Sequence, residues 1–297
     1  MFNSHFICAF PFIPFTDNKL NEEVFGKIID RLKEVEMPFI CAGAPNGASA
    51  CLSFEERIKL IELIKEHAPD SELMVDVSSF KVLEIMSLAK EAVKNDANAL
   101  MLTPLSLEEL TADESIDLFE SLNSKFNIPV CVYESKKKRL RLTDDFYTKV
   151  ASVSAVKSIC LSDLSPNLNE SQTQVKALKE KLPQKITLGF SDDTMAGNAL
   201  FSGCELWFSA LASALPKTCI KIALAAATGN KTSAMGQFCQ LSAIIEIMKK
   251  NGVNKTLSAL LEIKGLINES YLLPPVKSLN QEDKEMLKTI VSTCNFE

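Results

Sequence analysis

The chain has 297 residues, a formal net charge of −6 and a 46% share of hydrophobic residues. This size allows one large α/β domain or two smaller ones. The negative charge argues against a general nucleic-acid-binding protein, and no apolar run reaches the roughly 18 residues of a membrane-spanning helix.

Nine cysteines without a CxxC pair are the second compositional feature. An odd number of scattered thiols is typical of small core residues in a reducing cytoplasm. The first residues also lack the basic start of a signal peptide. We therefore expect a cytoplasmic protein with no membrane partner, no disulfide framework, no metal site and no cofactor.

Strand-like and helix-like segments alternate through the first half of the chain. Asn21 is predicted as a helix N-cap, and capping boxes that begin at Ser53 and Thr111 predict two more helix starts. A further helix is predicted over 82–93. Between the helices, short apolar runs predict strands at 6–12, 39–42, 73–77, 97–102 and 128–133.

The same alternation continues in the second half. Gly203 is expected to end a helix, and Pro216 suits the first turn of the next one. Strands are predicted at 155–163, 186–190 and 206–208, and helices at 143–150, 166–182 and 193–201.

Eight strands, each followed by a helix, are typical of a closed (β/α)8 barrel. A doubly wound open sheet is the alternative, although it usually needs fewer strands. We predict that residues 1–230 form the barrel. Residues 231–297 show two apolar helical stripes, and we predict that they form a helical extension packed on the barrel.

The strand at 155–163 has an alternation that matters for chemistry. Side chains along a strand point to opposite faces in turn, so Val156, Ser158 and Cys160 share one face. Lys157 belongs to the other face with Ile159. The sequence therefore predicts that Cys160, and not Lys157, points toward the centre of the barrel.

Catalytic groups of such barrels lie at the C-terminal ends of the strands. We therefore expect the functional residues of this chain among those that follow the predicted strands. These are Asn46, Gly47, 103–106, 133–138, 160–163, 190–193 and Ser209.

Several of these strand ends resemble motifs of the dihydrodipicolinate synthase and N-acetylneuraminate lyase family. The similarities occur in the family's order and run from about residue 6 to residue 290. Residues 47–57 resemble G-T-T-G-E-S-x-T-L-S-x-E-E-R, 102–104 resemble V-T-P-Y-Y, 129–133 resemble P-V-x-x-Y-N, 191–193 resemble G-D-D, and 272–279 resemble R-x-P-L-x-P-L.

The resemblance implies a class I aldolase, in which a lysine on strand six forms a Schiff base with pyruvate. Here the family's G-I-K falls on Ser158-Ile159-Cys160. A thiol cannot form a protonated imine, so the electron sink of that chemistry is lost. Of the residues the resemblance implies for catalysis, Tyr133 remains, at the position of the proton-relaying tyrosine.

The other implied binding positions also differ. The family's two threonines fall on Pro45 and Asn46, and proline has no N–H to offer a substrate carboxylate. Its second tyrosine falls on Ser106, and its substrate-binding arginine falls near Lys138. We take Asn46, Gly47, Ser106, Lys138 and Ser209 as the candidate binding residues, and Tyr133 and Cys160 as the catalytic positions.

Each candidate also has a purely structural interpretation. Tyr133 could be a core tyrosine with a satisfied hydroxyl. Cys160 could be a small buried residue, because no histidine is placed to lower its pKa. The basic run 136–141 could be a solvated loop, although its place over the barrel mouth could attract an acidic ligand.

Two functional hypotheses follow. The first is a barrel of this family with a degenerate active site, retained as a small-acid binder or as a partner subunit of an active relative. The alternative is an active lyase that uses other residues, such as Tyr133 with Lys138, on a keto acid or sugar acid. The resemblance implies a homodimer or homotetramer, and we expect Leu105 and Leu107 to form part of its interface.

Overall fold

The computed structural model describes residues 6–44, 48–108, 110–134, 143–294 and 296. Eight parallel strands close into a barrel in the spatial order β1-β8-β7-β6-β5-β4-β3-β2, and β2 pairs with β1. The predicted (β/α)8 barrel is therefore confirmed. The strands are β1 (Ile7–Ala9), β2 (Phe39–Ala42), β3 (Glu72–Asp76), β4 (Ala99–Leu102), β5 (Val130–Tyr133), β6 (Val156–Leu161), β7 (Thr187–Ser191) and β8 (Leu206–Ser209).

Helices separate these strands. A small hairpin follows β1, in which the two-residue strands Phe15–Thr16 and Lys19–Leu20 pair antiparallel. Among the helices that the structure describes, none has the length and apolar character to cross a membrane. The helices are α1 (Glu22–Glu34), α2 (Phe54–His67), α3 (Val82–Lys94), α4 (Ala112–Lys125), α5 (Asp144–Val150), α6 (Leu168–Lys181), α7 (Ala196–Ser202), α8 (Pro216–Ala227), α9 (Lys231–Gln240), α10 (Ser242–Asn251), α11 (Val253–Ile263) and α12 (Gln281–Thr293).

The helix starts follow the predicted caps. The side chain of Asn21 accepts a hydrogen bond from the Val24 N–H at 3.0 Å. Both predicted capping boxes form, one between Ser53 and Glu56 and the other between Thr111 and Glu114. Each box satisfies backbone donors that the first helical turn leaves without partners.

Two predicted helices have different bounds in the structure. The segment 193–201 begins as a 3-10 turn at Asp193–Met195, and α7 follows it and ends at Gly203, whose φ is 106°. The turn forms because Asp193 directs its carboxylate into the protein instead of capping a helix. The apolar stripe before Gly252 is divided between α9 and α10, which meet at Leu241.

The C-terminal helices lie against the barrel and share its core. Buried residues of α10, α11 and α12 belong to the same apolar cluster as the strands. α10 contacts the Asp193–Met195 turn, and α11 contacts the turn at Leu211–Ser213 that follows β8. These helices therefore reach the C-terminal end of the barrel. The division of the chain into two domains at residue 230 stays a prediction.

Candidate active site

A cavity of about 620 Å³ opens at the C-terminal end of the barrel. The turn between α10 and α11 forms part of its rim through Gly252 and Val253. Each barrel strand or the loop that follows it contributes to the wall. One contributing residue from each, in chain order, is Phe10, Ser49, Asp76, Leu105, Tyr133, Ser162, Ser191 and Ala210.

Tyr133 is the last residue of β5 and lies at the floor of this cavity with 8% of its surface exposed. Its hydroxyl is 3.2 Å from the Ser191 Oγ. Burial raises the pKa of Tyr133 well above its ordinary value, and the nearby thiol of Cys160 raises that pKa further. The phenol therefore stays protonated at neutral pH and offers a hydrogen bond, not a base.

Cys160 lies on β6, in register with Tyr133 on one side and Gly189 on the other. Its side chain is fully buried, and its Sγ is 3.8 Å from the Leu161 carbonyl oxygen. Burial raises the pKa of the Cys160 thiol well above its ordinary range, and Cys131 adds to the effect. A neutral thiol is a poor nucleophile, so this position has neither an amine nor a thiolate.

An aromatic ring packs closely against β7. A Cβ added at Gly189 would lie only 2.5 Å from the Phe208 Cε2, which shows how closely that ring covers the strand. The Phe208 ring centroid is 5.4 Å from that of Phe10, and Phe10 is 6.3 Å from Tyr133. These three rings line the cavity, whereas Cys160 is not among the residues that line it.

Ser162 lies in the predicted strand end 160–163, although it was not among the predicted catalytic and binding residues. Its N–H donates to the Glu134 Oε2 at 2.7 Å, and the other oxygen of Glu134 accepts from the Tyr147 hydroxyl at 2.9 Å. The Ser162 Oγ is buried at the cavity wall and has no hydrogen-bond partner among the described residues. Strand alternation could have found it, because 158, 160 and 162 share a face.

Arg57 is a second unpredicted member of the wall, and only 7% of it is exposed. Its two terminal nitrogens donate to backbone carbonyls, to Ser78 at 3.0 Å and to Asp76 at 2.6 Å. Its guanidinium also lies 3.9 Å from the Asp76 carboxylate and 3.6 Å from that of Glu84. The Nε has no partner among the described residues.

Asp76 is the last residue of β3, and its hydrogen bonds connect the loop after β3 with the loop after β4. Its Oδ1 accepts from the Ser78 N–H at 3.0 Å and from the Ser78 hydroxyl at 2.5 Å. The same Ser78 Oγ accepts from the Thr103 N–H at 2.8 Å. A carboxylate is therefore held in place at the cavity wall by the loops after β3 and β4.

Asp193 organises the segment that follows β8. Its Oδ1 accepts from Trp207 Nε1 at 3.1 Å and from Ser209 Oγ at 2.7 Å. Its Oδ2 accepts from the backbone N–H groups of Ala210 at 3.1 Å and Leu211 at 2.9 Å. Burial raises the pKa of Asp193 to about 6 despite these donors.

The predicted binding residues have different positions. Ser209 is fully buried, its hydroxyl is bonded to Asp193, and it is not among the residues that line the cavity. Ser106 is exposed, and its hydroxyl accepts from the Glu108 N–H at 3.2 Å. Asn46, Gly47 and Lys138 lie outside the described residues. Among the predicted catalytic and binding residues that the structure describes, namely Tyr133, Cys160, Ser106 and Ser209, Tyr133 is the one that lines the cavity directly.

Comparison with known proteins agrees with this architecture. The 4-hydroxy-tetrahydrodipicolinate synthase of Chlorobium phaeobacteroides is 24% identical over 285 residues, which are 92% of this chain and 90% of that protein. The synthase of Thermosipho melanesiensis is 22% identical over 288 residues, 95% of this chain and 96% of that protein.

Solved structures show the same fold. The crystal structure of dihydrodipicolinate synthase from Agrobacterium tumefaciens superposes with a TM-score of 0.90 at 22% identity, covering 99% of this chain and 100% of that one. A structure described as the first monomeric dihydrodipicolinate synthase variant superposes with a TM-score of 0.86 at 16% identity, covering 98% of this chain and 97% of that one.

A sequence match to a protein family supports this relationship independently of the fold. The model described as the dihydrodipicolinate synthetase family matches residues 3–294, which is nearly the whole chain. Together with the closed barrel and the cavity at the ends of its strands, this match shows that the chain belongs to the dihydrodipicolinate synthetase family.

Proposed function

We propose that this member of the family does not perform pyruvate Schiff-base chemistry and is retained as a small-molecule-binding barrel or as a partner subunit. The observation that supports the proposal is the buried, neutral thiol of Cys160 on β6. An amine condenses with a ketone to give an imine and water. A thiol adds to a ketone reversibly, and the adduct cannot become the protonated imine that stabilises an enamine.

The environment of the cavity supports the same proposal. Tyr133 is held protonated, and its ring centroid lies 6.3 Å from that of Phe10, which lies 5.4 Å from that of Phe208. Among the described residues of the wall, the lysine is Lys255, which lies on α11 at the rim and not on a barrel strand. A small acidic ligand would have to be held by Asn46, Gly47 or Lys138, the groups predicted for that role from the sequence.

We further propose a cytoplasmic location and a dimer. All nine cysteines are free thiols, as expected in a reducing compartment. Leu107 is 82% exposed and follows Leu105 at the rim of the cavity, while Phe80 and Leu83 after β3 are 58% and 83% exposed. Large exposed apolar side chains, such as Leu107 in a loop and Leu83 in the first turn of α3, are typical of a protein–protein contact.

Deuterium exchange into pyruvate tests the absence of aldolase chemistry. An enzyme that forms the pyruvate enamine exchanges the methyl protons of pyruvate with solvent, whichever residue forms it. In D2O, we expect the methyl signal of pyruvate to decline at the same rate with this protein as with buffer alone, and an active family synthase provides the positive control. Protein-dependent exchange would refute the proposal and favour an active lyase with non-standard residues.

A further inference from the structure

We infer that the cavity selects uncharged or positively charged hydrogen-bond donors over carboxylates, and that Asp76 is a specificity-determining residue. The inference rests on the proposed function, since it names the class of ligand that the barrel binds. The expected ligand is not a small acid but a polar molecule that presents a hydroxyl or an ammonium group toward Asp76.

The described wall of the cavity has more acidic than basic groups. Its cations are Arg57 and Lys255, and its carboxylates are Asp76, Glu84, Asp192 and Asp193. The Asp193 carboxylate is bonded to the segment after β8. Even without that carboxylate, the acidic groups of the described wall outnumber its cations.

Arg57 is poorly placed to receive a substrate carboxylate. A guanidinium binds carboxylates best through two parallel N–H groups, but both of its terminal nitrogens already donate to backbone carbonyls. The carboxylates of Asp76, 3.9 Å away, and Glu84, 3.6 Å away, also balance its charge. The only buried cation of the described wall is therefore a structural group, while Lys255 belongs to the rim.

Two carboxylates make the electrostatic potential more negative at the floor of the cavity, where a ligand would contact Tyr133. The charges of Asp76 and Asp192 both raise the pKa of the Tyr133 phenol, because each disfavours a second negative charge there. A bound carboxylate at that position would meet the same repulsion. A hydroxyl or ammonium group would be attracted to it.

The floor also has a buried polar atom that lacks a partner. The Ser162 Oγ has no hydrogen-bond partner among the described residues although Ser162 is only 6% exposed. A hydroxyl both donates and accepts, and Ser191 with Tyr133 offers a second hydroxyl pair on the same wall. These groups match a ligand with polar hydrogens better than a carboxylate, which only accepts.

Three small ketones of matched shape test the inference. Pyruvate, hydroxyacetone and aminoacetone share an acetyl group. The group attached to it is a carboxylate in pyruvate, a hydroxymethyl in hydroxyacetone and an ammoniomethyl in aminoacetone. Dissociation constants from saturation-transfer NMR at pH 7 are expected to show hydroxyacetone and aminoacetone binding at least about tenfold more tightly than pyruvate, since like charges in a binding site are costly.

The variant Asp76→Asn is expected to reduce that preference severalfold, mainly by improving the binding of pyruvate. Asp70→Asn is the matched control, because it removes the same charge from an exposed position before β3, at the other end of the barrel. Asp192→Asn tests the second carboxylate if Asp76→Asn fails to fold by circular dichroism, and it is expected to act in the same direction.

Three results would overturn the inference. These are pyruvate binding at least as tightly as hydroxyacetone, a preference that neither variant changes, and no binding of any of the three ketones. None of them depends on deuterium exchange, which tests the proposed function separately. A protein that exchanged pyruvate protons yet preferred hydroxyacetone would refute the proposed function and leave the charge selectivity standing.

Discussion

Asp193 shows at the scale of one residue how the fold uses a buried charge. Four donors surround its carboxylate, and one of them is the indole of Trp207, the single tryptophan of the chain. Asp192 caps the short turn that follows β7 by accepting from the Thr194 N–H at 3.0 Å, whereas Asp193 points toward the end of β8.

We predict that the fluorescence of Trp207 titrates with Asp193. Burial raises the pKa of Asp193 from 3.8 to about 6, so the folded protein takes up a proton that the unfolded chain does not bind. The contribution of this residue to stability is therefore largest below about pH 4 and is lost as the pH rises through about 6. The emission of Trp207 is expected to change between about pH 5 and 7, with a midpoint near the raised pKa.

The control for this titration is the neighbouring carboxylate. Asp193→Asn is expected to abolish the change, because an amide does not titrate in this range. Asp192→Asn is expected to keep it with a slightly lower midpoint, since the charge of Asp192 raises the pKa of Asp193. An unchanged transition in Asp193→Asn would assign it to another group.

We also predict that Cys160→Lys does not create an efficient aldolase. The side chain at this position is fully buried in register with Gly189, which the Phe208 ring approaches closely, so a longer side chain would crowd its neighbours. Pro45 and Ser106 would also still differ from the family's binding residues. Turnover of pyruvate with an aldehyde measures the outcome, and thermal unfolding of Cys160→Met separates the effect of size from that of charge. Turnover at the level of an active family synthase would show that these other differences matter little.

At the scale of elements, the predictable features were those encoded locally. The caps at Asn21, Ser53 and Thr111 depend on neighbouring residues and were all correct. The helix predicted from Asp193 was wrong in its first turn, because the partners of that carboxylate are 14 to 18 residues away in sequence. Local periodicity contains no information about such long-range hydrogen bonds.

In the candidate site, too, locally encoded positions were predictable, and long-range hydrogen bonds were not. Strand ends identified the position of Tyr133, which lines the cavity, and the Cys160 side chain on β6 is fully buried. Arg57 was missed because it lies inside a helix, and its role depends on the backbone of β3. Ser209 was predicted to bind substrate, but its hydroxyl is used by Asp193. Which polar groups are already paired is a property of the tertiary structure.

The packing of β7 against β8 gives a prediction about stability. A Cβ at Gly189 would lie 2.5 Å from the Phe208 ring and 3.0 Å from the Leu206 carbonyl oxygen. Gly189→Ala is therefore expected to lower the free energy of unfolding by about 1–3 kcal/mol in urea titrations, the usual cost of overpacking.

The matched control is another glycine with room for a side chain. Gly236 lies inside α9. Apart from its chain neighbours and the backbone of its own helix, no described atom would lie within 4 Å of an added Cβ. Gly236→Ala is expected to be neutral or to stabilise by up to about 1 kcal/mol. If Gly189→Ala behaved like this control, the close packing of Phe208 would be refuted.

At the scale of the whole molecule, the exposed leucines predict a dimer. Light scattering at micromolar concentration is expected to give at least twice the chain mass of 32.7 kDa. Leu107→Asp is expected to weaken the association, because the interface would then bury an unpaired charge.

Met286→Asp is the matched control for the interface, because Met286 is 51% exposed on α12, far along the chain from Leu105 and Leu107. It is expected to leave the mass unchanged. A wild-type chain that is monomeric at micromolar concentration would contradict the predicted interface.

Trapping with borohydride tests most directly whether the barrel forms a pyruvate Schiff base. The protein is incubated with pyruvate and borohydride, which reduces any imine to a stable secondary amine, and intact-mass and peptide mass spectrometry then locate the adduct. Since Cys160 presents a buried neutral thiol where the family has an amine, we expect no stoichiometric adduct, whereas an active family synthase treated in the same way should be fully modified. A stoichiometric adduct on any lysine at the barrel mouth, Lys138 included, would contradict the proposed loss of Schiff-base chemistry.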